Sequence, residues 1–284
     1  MLENDIAILM ATYNGEKYLR EQIDSLLNQT CQDWHLYVHD DGSKDGTVNI
    51  VKSYAERYPD KVTLLDYPPQ GGACRNFLSL LEKAEARYYM FCDQDDVWLP
   101  EKIALSLEEM KRQEALHLQK PVVIHTDLHI VDDKLTVTYD SMWKHSDIFP
   151  QYIKTFSDAG GHTVIATGCT MLFNQKAKEG SSRPSASAIM HDCWLCLCTL
   201  QQGGTVYGIN KQLVLYRQHG SNCLGSGETQ AADVNMKYRV LNCKKVYKSN
   251  RDYYAMLRSL GYGSVFKYIR YKLKYKKRIR RGSY

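Results

Sequence analysis

The chain lacks the long apolar runs that membrane-spanning helices need. Among its 284 residues there is no run of about 18 consecutive apolar residues, the length that suggests a spanning helix. Its start also lacks the basic and then apolar regions of a secretory signal peptide. We therefore expect neither a spanning helix nor a cleaved leader.

Paired cysteine spacing is also missing. The nine cysteines follow no disulfide framework. Cys31, Cys92, Cys169 and Cys198 lie among apolar residues, which predicts small buried apolar side chains in a reducing compartment. Cys193, Cys196 and Cys198 resemble a zinc-ligand spacing, but no second pair matches them. Hydrophobic residues make up 44% of the chain, so we expect one large folded domain, or a domain with an appendage.

Acidic residues are nearly absent from the C-terminal part of the chain. Residues 237–284 hold sixteen Lys and Arg and one acid, Asp252, whereas residues 1–236 hold 21 basic and 31 acidic residues. The body is therefore negative and the tail strongly positive, although the net charge of the chain is only +5. Such a tail is typical of a segment that meets an anionic surface.

The first hundred residues alternate between strand-like and helix-like patterns. Apolar runs predict four strands, at Ile6–Met10, Trp34–Val38, Val62–Leu65 and Tyr88–Cys92. Apolar residues at helical spacing predict helices between them, at Glu16–Gln29, Val48–Arg57 and Cys74–Ala84. This alternation indicates βαβ units and an α/β fold with a largely parallel sheet.

Polar segments follow the first, second and fourth predicted strands: Thr12–Gly15, Asp40–Ser43 and Asp93–Asp96. Ligands bind at the carboxyl ends of parallel strands, so we expect these segments to share one site. The third segment holds three carboxylates in four residues, which repel one another unless a cation or hydrogen-bond donors compensate. Mg²⁺ and Mn²⁺ prefer such ligands. An acidic loop that caps the next helix is the alternative.

The second half of the chain is less regular. Val122–Thr126 predicts a strand that ends at Asp127, and Val164–Phe173 is a further apolar stretch broken by Gly168. His191 and Asp192 precede an apolar helix within Ile189–Leu200. Residues 221–236 are rich in Gly, Ser and polar residues and predict a mobile loop or linker.

The tail beyond Gly261 combines apolar and aromatic residues with nine Lys and Arg. The residues at helical spacing are Phe266, Ile269 and Leu273, with Tyr268, Tyr271 and Tyr275. This pattern predicts a helix that lies on anionic lipid headgroups. A nucleic-acid surface on which tyrosines stack with bases, and a solvated charged end, are the alternatives.

Several segments occur in the order and approximate spacing of family 2 glycosyltransferases: Met10–Gly15, His39–Thr47, Gly71–Phe77 and Asp93–Asp96. Met190–Trp194 and Tyr216–Asn222 resemble a branch that includes bacterial rhamnosyltransferases of surface-polysaccharide assembly. The resemblance spans about residues 5–222 and does not cover the tail. It implies a GT-A fold, with a mostly parallel central sheet flanked by helices. It also implies transfer of a sugar from a nucleotide diphosphate sugar, with inversion at the anomeric carbon.

The resemblance also implies which residues bind the donor. Thr12, Tyr13 and Asn14 would close over the nucleotide with Glu16 nearby, although a strand-to-helix turn explains the same residues. Asp41, in preference to Asp40, would accept a hydrogen bond from the imide N–H of uracil or thymine; a turn with a helix cap is the alternative. Arg75 would pair with the diphosphate or else form a surface ion pair. Asn76, the last residue of the family-like Gly-x-x-x-Asn segment, is also expected to bind the nucleotide sugar.

Within the acidic segment the resemblance implies two roles: one carboxylate contacts the ribose, and another binds a Mg²⁺ or Mn²⁺ ion that bridges the phosphates. Asp95 is the preferred metal ligand with Asp93 or Asp96 in support, and the sequence does not divide the roles among the three. His219 is expected to help hold the metal or the diphosphate, with a structural histidine as the alternative. The ion would act as a Lewis acid for the leaving diphosphate.

Inversion by a single displacement requires a base across the sugar from the leaving group. The resemblance assigns this role to Asp192, and capping of the next helix is the alternative. His191 and Trp194 are expected on the acceptor side. Cys193 stands where the branch usually carries an aromatic residue, so the acceptor pocket is expected to differ in shape.

Together these patterns predict a metal-dependent inverting glycosyltransferase at the cytoplasmic face of a membrane. The expected donor is a UDP- or dTDP-linked rhamnose or a hexose such as glucose or galactose, and the expected acceptor is a glycan or lipid-linked oligosaccharide. No nucleic-acid partner is expected. The predicted divisions are a catalytic domain over 1–222, a linker over 223–236 and a basic helical tail over 237–284. A nucleotidyltransferase or a non-catalytic sugar-nucleotide binding module is the alternative.

Overall fold

The computed structural model describes residues 5–161, 164–219 and 243–279. Its strands are β1 (Ile6–Thr12), β2 (Trp34–Asp40), β3 (Val62–Leu64), β4 (Tyr88–Cys92), β5 (Val97–Trp98), β6 (Val122–Val131), β7 (Val137–Tyr139), β8 (Met171–Asn174) and β9 (Thr205–Arg217). Its helices are α1 (Leu19–Leu27), α2 (Thr47–Arg57), α3 (Ala73–Lys83), α4 (Lys102–Leu116), α5 (Met142–His145), α6 (Phe156–Ala159), α7 (Gln175–Ser181), α8 (His191–Gln201), α9 (Cys243–Ser259) and α10 (Val265–Ile279). Single 3₁₀ turns occupy Pro150–Tyr152 and Gly168–Thr170.

Within these described residues the strands form one mixed sheet in the order β3-β2-β1-β4-β8-β6-β9-β5, with β7 paired to β6. Strands β1 to β4 run parallel, which confirms the predicted βαβ half. Strand β8 is antiparallel to both β4 and β6, and β5 is antiparallel to β9. The second half of the sheet therefore combines antiparallel pairs with the parallel pair β6–β9.

Helices cover both faces of the sheet, and strand β1 shows how the core is divided. Ile6, Ile8 and Met10 pack into the cluster that contains α1 and α2 residues, whereas Ala7 and Leu9 pack into the cluster that contains α3 and α8 residues. Because both faces of β1 are buried, its sequence is a continuous apolar run without alternation.

Several predicted element boundaries differ from those of the structure by two or more residues. The first helix begins at Leu19 rather than Glu16, because the preceding residues form a turn closed on the Gly15 carbonyl. Strand β6 continues past Asp127, because β9 pairs with it on both sides of an irregularity there. The apolar stretch after residue 164 becomes a strand only at Met171. The loop predicted over 221–236 lies outside the described residues.

Helices α9 and α10 pack against the body. Tyr253, Met256 and Leu257 of α9 belong to the same buried cluster as Leu195 of α8. No helix in the described ranges is both long and apolar enough to cross a bilayer. The described part of the basic tail, residues 243–279, forms two helices, as predicted, and the first of them packs into the core of the preceding residues.

Tyrosine hydroxyls anchor the tail to one segment of the body. The donors are Tyr253, Tyr262 and Tyr275, and the acceptors are the carbonyls of Ala159, Ser157 and Asp147, at 2.9, 2.7 and 2.5 Å respectively. Two glycines allow the close approach. A Cβ at Gly160 would lie 2.0 Å from the Tyr262 hydroxyl, and one at Gly161 would lie 2.9 Å from the Tyr275 Cβ.

The substitution Gly160→Ala tests this packing. The backbone there is right-handed, with φ of −61°, so alanine is disfavoured by the Tyr262 contact alone. We expect the free energy of unfolding in urea to fall by about 1–3 kcal/mol, the usual range for overpacking. In a Tyr262→Ala background the same substitution should cost close to nothing. An equal cost in both backgrounds would contradict the described docking of the tail.

Candidate active site

The turn after β1 is held by side chains of the other two polar segments. The Gln94 side chain accepts a hydrogen bond from the Tyr13 N–H and donates one to the Tyr13 carbonyl, both at 3.0 Å. The Ser43 hydroxyl accepts from the Asn14 N–H at 2.8 Å, and the Asn14 side-chain oxygen accepts from the Lys44 N–H at 2.8 Å. The three segments therefore lie together at the carboxyl edge of the sheet, as predicted.

The conformation of this turn explains its residues. Asn14 adopts a left-handed φ of 47°, which asparagine tolerates better than most residues. A Cβ at Gly15 would lie 2.2 Å from the Gln94 side-chain oxygen, so glycine allows Gln94 to approach. Thr12 is buried and donates to Asp40 at 2.8 Å. Tyr13 is 54% exposed and Asn14 is also exposed, so the Tyr13 ring is the large side chain of this turn that is open to a ligand.

Asp40 and Asp41 bind different groups although they are adjacent. Asp40 accepts from the N–H groups of Gly42 and Ser43 at 3.0 and 2.7 Å, and so organises its own turn. Asp41 accepts from three successive backbone N–H groups, those of Gln70, Gly71 and Gly72, at 2.5, 2.9 and 2.6 Å. Backbone N–H groups thus already donate to Asp41, the carboxylate that is expected to accept a hydrogen bond from the imide N–H of uracil or thymine. A bound nucleobase would have to replace one of these N–H donors or share the carboxylate with them.

Glu16 and Asn76 connect secondary-structure elements. The Glu16 carboxylate accepts from the Gly46 N–H at 2.8 Å, which ties the first turn to the start of α2. Asn76 is buried; its side-chain oxygen lies 2.6 Å from His39 Nδ1, and its amide donates to the His39 carbonyl at 3.2 Å. Asn76 therefore fixes α3 to the end of β2 instead of pointing towards a donor. Arg75, in the first turn of α3, is exposed.

The three carboxylates after β4 have different surroundings. Asp95 Oδ2 lies 2.8 Å from Nε2 of His219. Asp96 is fully buried and accepts from the Arg217 N–H at 3.1 Å. Asp93, Asp96 and the Cys169 thiol each place one ligand atom within 4.8 Å of the others. The structure thus brings His219 to Asp95, and separately groups Asp93 with Asp96.

Burial and mutual repulsion raise the pKa values of the grouped carboxyls. Burial, then the charges of Asp95 and Asp192, raises the pKa of Asp93 to about 7. Burial, then the charges of Asp95 and Asp93, raises the pKa of Asp96 well above its usual range. A divalent cation would offset this repulsion. Carboxylate oxygens with one imidazole nitrogen form a donor set that suits Mn²⁺ or Mg²⁺, so the residues present fit the expected metal.

Asp192 lies in the first turn of α8 and is partly exposed. Its carboxylate accepts from the N–H groups of Gly168 and Cys193 at 3.1 and 2.6 Å. Its charge also contributes to the raised pKa values of Asp93 and Cys74. The candidate base is therefore held by backbone donors, within electrostatic range of the acidic group.

His191 and Trp194 are buried, which differs from the expected acceptor-side role. The His191 ring stacks on Phe77 with centroids 4.1 Å apart, and burial lowers its pKa to about 4, so it is neutral near pH 7. The Trp194 indole donates to the Ser181 carbonyl at 3.0 Å. Both side chains pack the first turn of α8 into the core. Since Asp192 lies between them in the sequence, their packing fixes its position.

Three further site residues escaped the sequence patterns. Gln94 binds the turn after β1, Cys169 lies beside Asp93 and Asp96, and the Tyr18 ring packs on the His219 ring at 4.7 Å. Cys169 looks like a small buried apolar residue, and Tyr18 looks like part of a helix face. Gln94 could have been suspected from its position between the acidic residues Asp93 and Asp95, in a segment expected to lie beside the glycine-containing turn after β1.

Comparison with known families agrees with this geometry. The model of the family described as "Glycosyl transferase family 2" matches residues 7–180. The match covers more than half of the chain and runs through all three polar segments. The chain belongs to glycosyl transferase family 2.

Two curated bacterial proteins of similar length resemble this family 2 glycosyltransferase. It is 28% identical over 225 residues to the dTDP-rhamnosyl transferase RfbG of Shigella flexneri, covering 76% of this chain and 74% of RfbG. It is 26% identical over 227 residues to TuaG of Bacillus subtilis, a glycosyltransferase whose name assigns it to teichuronic acid biosynthesis, covering 80% of this chain and 84% of TuaG.

Solved structures resemble it over nearly the whole chain. TarS residues 1–349 of S. aureus, in complex with UDP-GlcNAc, matches with a TM-score of 0.59 and 15% identity, covering 99% of this chain and 93% of TarS. The mannosyltransferase PcManGT of Pyrobaculum calidifontis, in complex with GDP-Man and Mn²⁺, matches with a TM-score of 0.53 and 14% identity, covering 94% and 78%. The expected GT-A fold is confirmed, with a more mixed sheet than predicted.

The raised pKa of Asp93 predicts a pH-dependent stability difference between the wild type and Asp93→Asn. Without metal, the unfolded carboxyl ionises near pH 4, whereas the folded one stays protonated until about pH 7. Asp93 therefore lowers the free energy of unfolding progressively between these values, and the full loss persists above them. In urea titrations with chelator, Asp93→Asn should gain stability relative to the wild type from pH 4 to pH 8.

Added Mn²⁺ should stabilise the wild type more at pH 8 than at pH 6, because the ion binds the ionised carboxylate. Comparing each variant with the wild type at the same pH cancels the contributions of the buried histidines. A stability difference that does not change with pH would contradict the raised pKa of Asp93.

Proposed function

We propose that this family 2 glycosyltransferase is inverting and metal-dependent, and that it moves a sugar from a nucleoside diphosphate donor to a glycan hydroxyl in cell-surface polysaccharide synthesis. One observation carries the proposal: the Asp192 carboxylate accepts from the Gly168 N–H at 3.1 Å, and the thiol of the next residue, Cys169, lies within 4.8 Å of ligand atoms of Asp93 and Asp96. Asp192 is therefore close to the acids that would surround the metal and diphosphate, and inversion by a single displacement requires a base near that site, across the sugar from the leaving group.

The donor would lie across the carboxyl edge of β1, β2 and β4. The exposed Tyr13 ring is available to pack against a base, and Asp41 marks the neighbouring polar position. The exposed Arg75 would reach the diphosphate. The name of RfbG and the UDP-GlcNAc bound to TarS favour dTDP or UDP as the nucleotide. The proposed sugar is rhamnose or a hexose such as glucose or galactose.

Asp95 and His219 would hold a Mg²⁺ or Mn²⁺ ion, with Asp93 or Asp96 as the supporting carboxylate. When bound, this ion would supply Lewis-acid neutralisation of the departing diphosphate; the Mn²⁺ in the PcManGT complex supports this choice. Asp192 would accept the proton of the acceptor hydroxyl while the hydroxyl oxygen attacks the anomeric carbon. The Gly168 and Cys193 N–H groups would hold the carboxylate in position for that transfer.

The substitution Asp192→Asn tests the base. With UDP-, dTDP- and GDP-sugars, Mg²⁺ or Mn²⁺ and a glycan acceptor, release of nucleoside diphosphate should fall by roughly 10²- to 10⁴-fold in kcat, as expected for loss of a general base. Donor KM should change little, because the amide keeps the shape of the carboxylate. Asp252→Asn, at a partly exposed acid of α9, is the control. Turnover by Asp192→Asn at the wild-type rate would remove Asp192 from the mechanism.

We further propose that the acceptor is lipid-linked and that α10 binds the cytoplasmic face of an anionic membrane. Val265, Phe266, Ile269 and Leu273 form an exposed apolar stripe on α10, with exposures of 44, 79, 49 and 63%. Arg270 and Lys277 lie one turn beyond Phe266 and Leu273 and are exposed. An apolar stripe bordered by cations matches an anionic lipid interface.

The packing of α10 revises which face would meet the lipid. The sequence pattern placed Tyr268 and Tyr275 on the lipid-binding helix, but the Tyr268 ring is buried against Tyr253 and Tyr254 of α9, and the Tyr275 hydroxyl donates to the Asp147 carbonyl. Deleting residues 262–284 would therefore remove core contacts as well as the proposed membrane surface. Point substitutions in the exposed stripe separate the two effects.

The double variant Phe266→Ser and Leu273→Ser tests the stripe. Its partitioning into vesicles that contain phosphatidylglycerol should fall about tenfold or more, because apolar burial supplies part of the binding energy. Tyr247→Ser, at an exposed residue of α9 outside the stripe, should bind like the wild type. Turnover with a soluble acceptor should be unchanged in both. Unaltered vesicle binding by the double variant, or preferential binding of single-stranded nucleic acid, would contradict the proposal.

A further inference from the structure

We infer that Arg217 is a positioning residue that fixes His219 against Asp95. The inference rests on the proposed metal-dependent function, but it concerns a residue to which the sequence patterns assigned no role. Arg217 is the last residue of β9 and is only 2% exposed. A buried guanidinium has to be fully paired, so its partners show what it holds together.

The guanidinium of Arg217 joins three segments of the chain. Its Nε donates to the Asp95 carbonyl at 2.9 Å, and its Nη1 donates to the Asp133 carbonyl at 2.7 Å. Its Nη2 donates to the Glu21 carboxylate. The acidic loop, the turn between β6 and β7 and helix α1 therefore meet on one planar group.

The backbone of Arg217 adds a second link to the same loop, because its N–H donates to Asp96 Oδ1 at 3.1 Å. Arg217 thus binds the carbonyl of Asp95 and the carboxylate of Asp96 at once. His219 follows two residues later and meets Asp95 Oδ2 at 2.8 Å. The relative position of Asp95 and His219 is therefore constrained by the Arg217 contacts.

Tyr18 extends this constraint to the imidazole ring. The Arg217 guanidinium carbon lies 4.5 Å from the centroid of the Tyr18 ring, and the His219 ring lies 4.7 Å from the same centroid. The Tyr18 hydroxyl donates to the Asp133 carboxylate, which also accepts from the Lys17 ammonium at 2.9 Å. The Tyr18 ring therefore contacts both the Arg217 guanidinium and the His219 ring, so the orientation of His219 depends on this contact with Arg217.

Lysine would keep the positive charge at position 217 but would not replace the several N–H donors that the planar guanidinium presents in fixed directions. A single ammonium cannot reach the Asp95 carbonyl, the Asp133 carbonyl and the Glu21 carboxylate with the same geometry. The proposed metal pair would then lose its preset spacing. Groups that orient metal ligands typically alter metal affinity by about 10- to 100-fold when they are replaced.

The experiment measures Mn²⁺ binding by electron paramagnetic resonance, using the full-length protein without donor or acceptor. Arg217→Lys should raise the Mn²⁺ Kd about 10- to 100-fold relative to the wild type. At saturating Mn²⁺ its kcat should return to within about threefold of the wild type, because the substitution leaves Asp192 and the metal ligands intact. A merely structural role would lower the folded fraction without changing the Kd of the folded protein.

Arg112→Lys is the matched control, because Arg112 is exposed and pairs with Glu109 within α4. Glu21→Gln provides a milder second variant that removes one charged partner of Arg217, and its Mn²⁺ Kd should rise about threefold to tenfold. If Arg217→Lys does not fold, the Mn²⁺ Kd of Glu21→Gln decides the test. An Mn²⁺ Kd equal to that of the wild type in the folded variants would overturn the inference. Failure of the wild type to bind Mn²⁺, both alone and with added UDP or dTDP, would instead count against the proposed function.

Discussion

Repulsion among carboxylates is the constraint on which the site depends. The chain places Asp93, Asp95 and Asp96 directly after a buried strand, and Asp192 acts on the same group from α8. Each acid has a specific partner: the His219 ring for Asp95, the Arg217 N–H for Asp96, two backbone N–H groups for Asp192 and the Cys169 side chain for Asp93. Burial and the remaining repulsion raise the pKa values of Asp93 and Asp96, and a cation would relieve the repulsion.

The mixed half of the sheet, through the end of β9, supplies the partners of Asp95 and Asp96. Strand β5 begins directly after Asp96 and pairs with β9, so that Val97 faces Leu215 and Trp98 faces Val214. This register returns the end of β9 to the acidic loop, where Arg217 and His219 are needed. The mixed topology is therefore part of the site, because a purely parallel sheet would not bring this late segment beside residues 93–96.

The sequence patterns predicted those elements whose position depends on neighbouring residues in the chain. The first four strands and their polar ends were predicted well, because buried parallel strands are continuous apolar runs and their ends carry the ligand-binding turns. The length of β6 and the insertion of β8 depend on long-range pairing and could not be read locally. Asn76 and Trp194 were expected at ligands because both lie in motifs that resemble those of the family. Their hydrogen bonds to His39 and Ser181 show that the same groups also satisfy buried partners.

The tail shows the same limit. Helical spacing in residues 265–275 defines an aromatic face and an aliphatic face, but either could meet the body. Gly160 and Gly161 decide between them, because only residues without a Cβ admit Tyr262 and the α10 backbone so closely. The segment that these tyrosines hold leads along the chain to Gly168, whose N–H binds the Asp192 carboxylate. The helix with the exposed stripe is therefore anchored on the segment that precedes the candidate base, so its position would set how the proposed lipid-linked acceptor approaches Asp192.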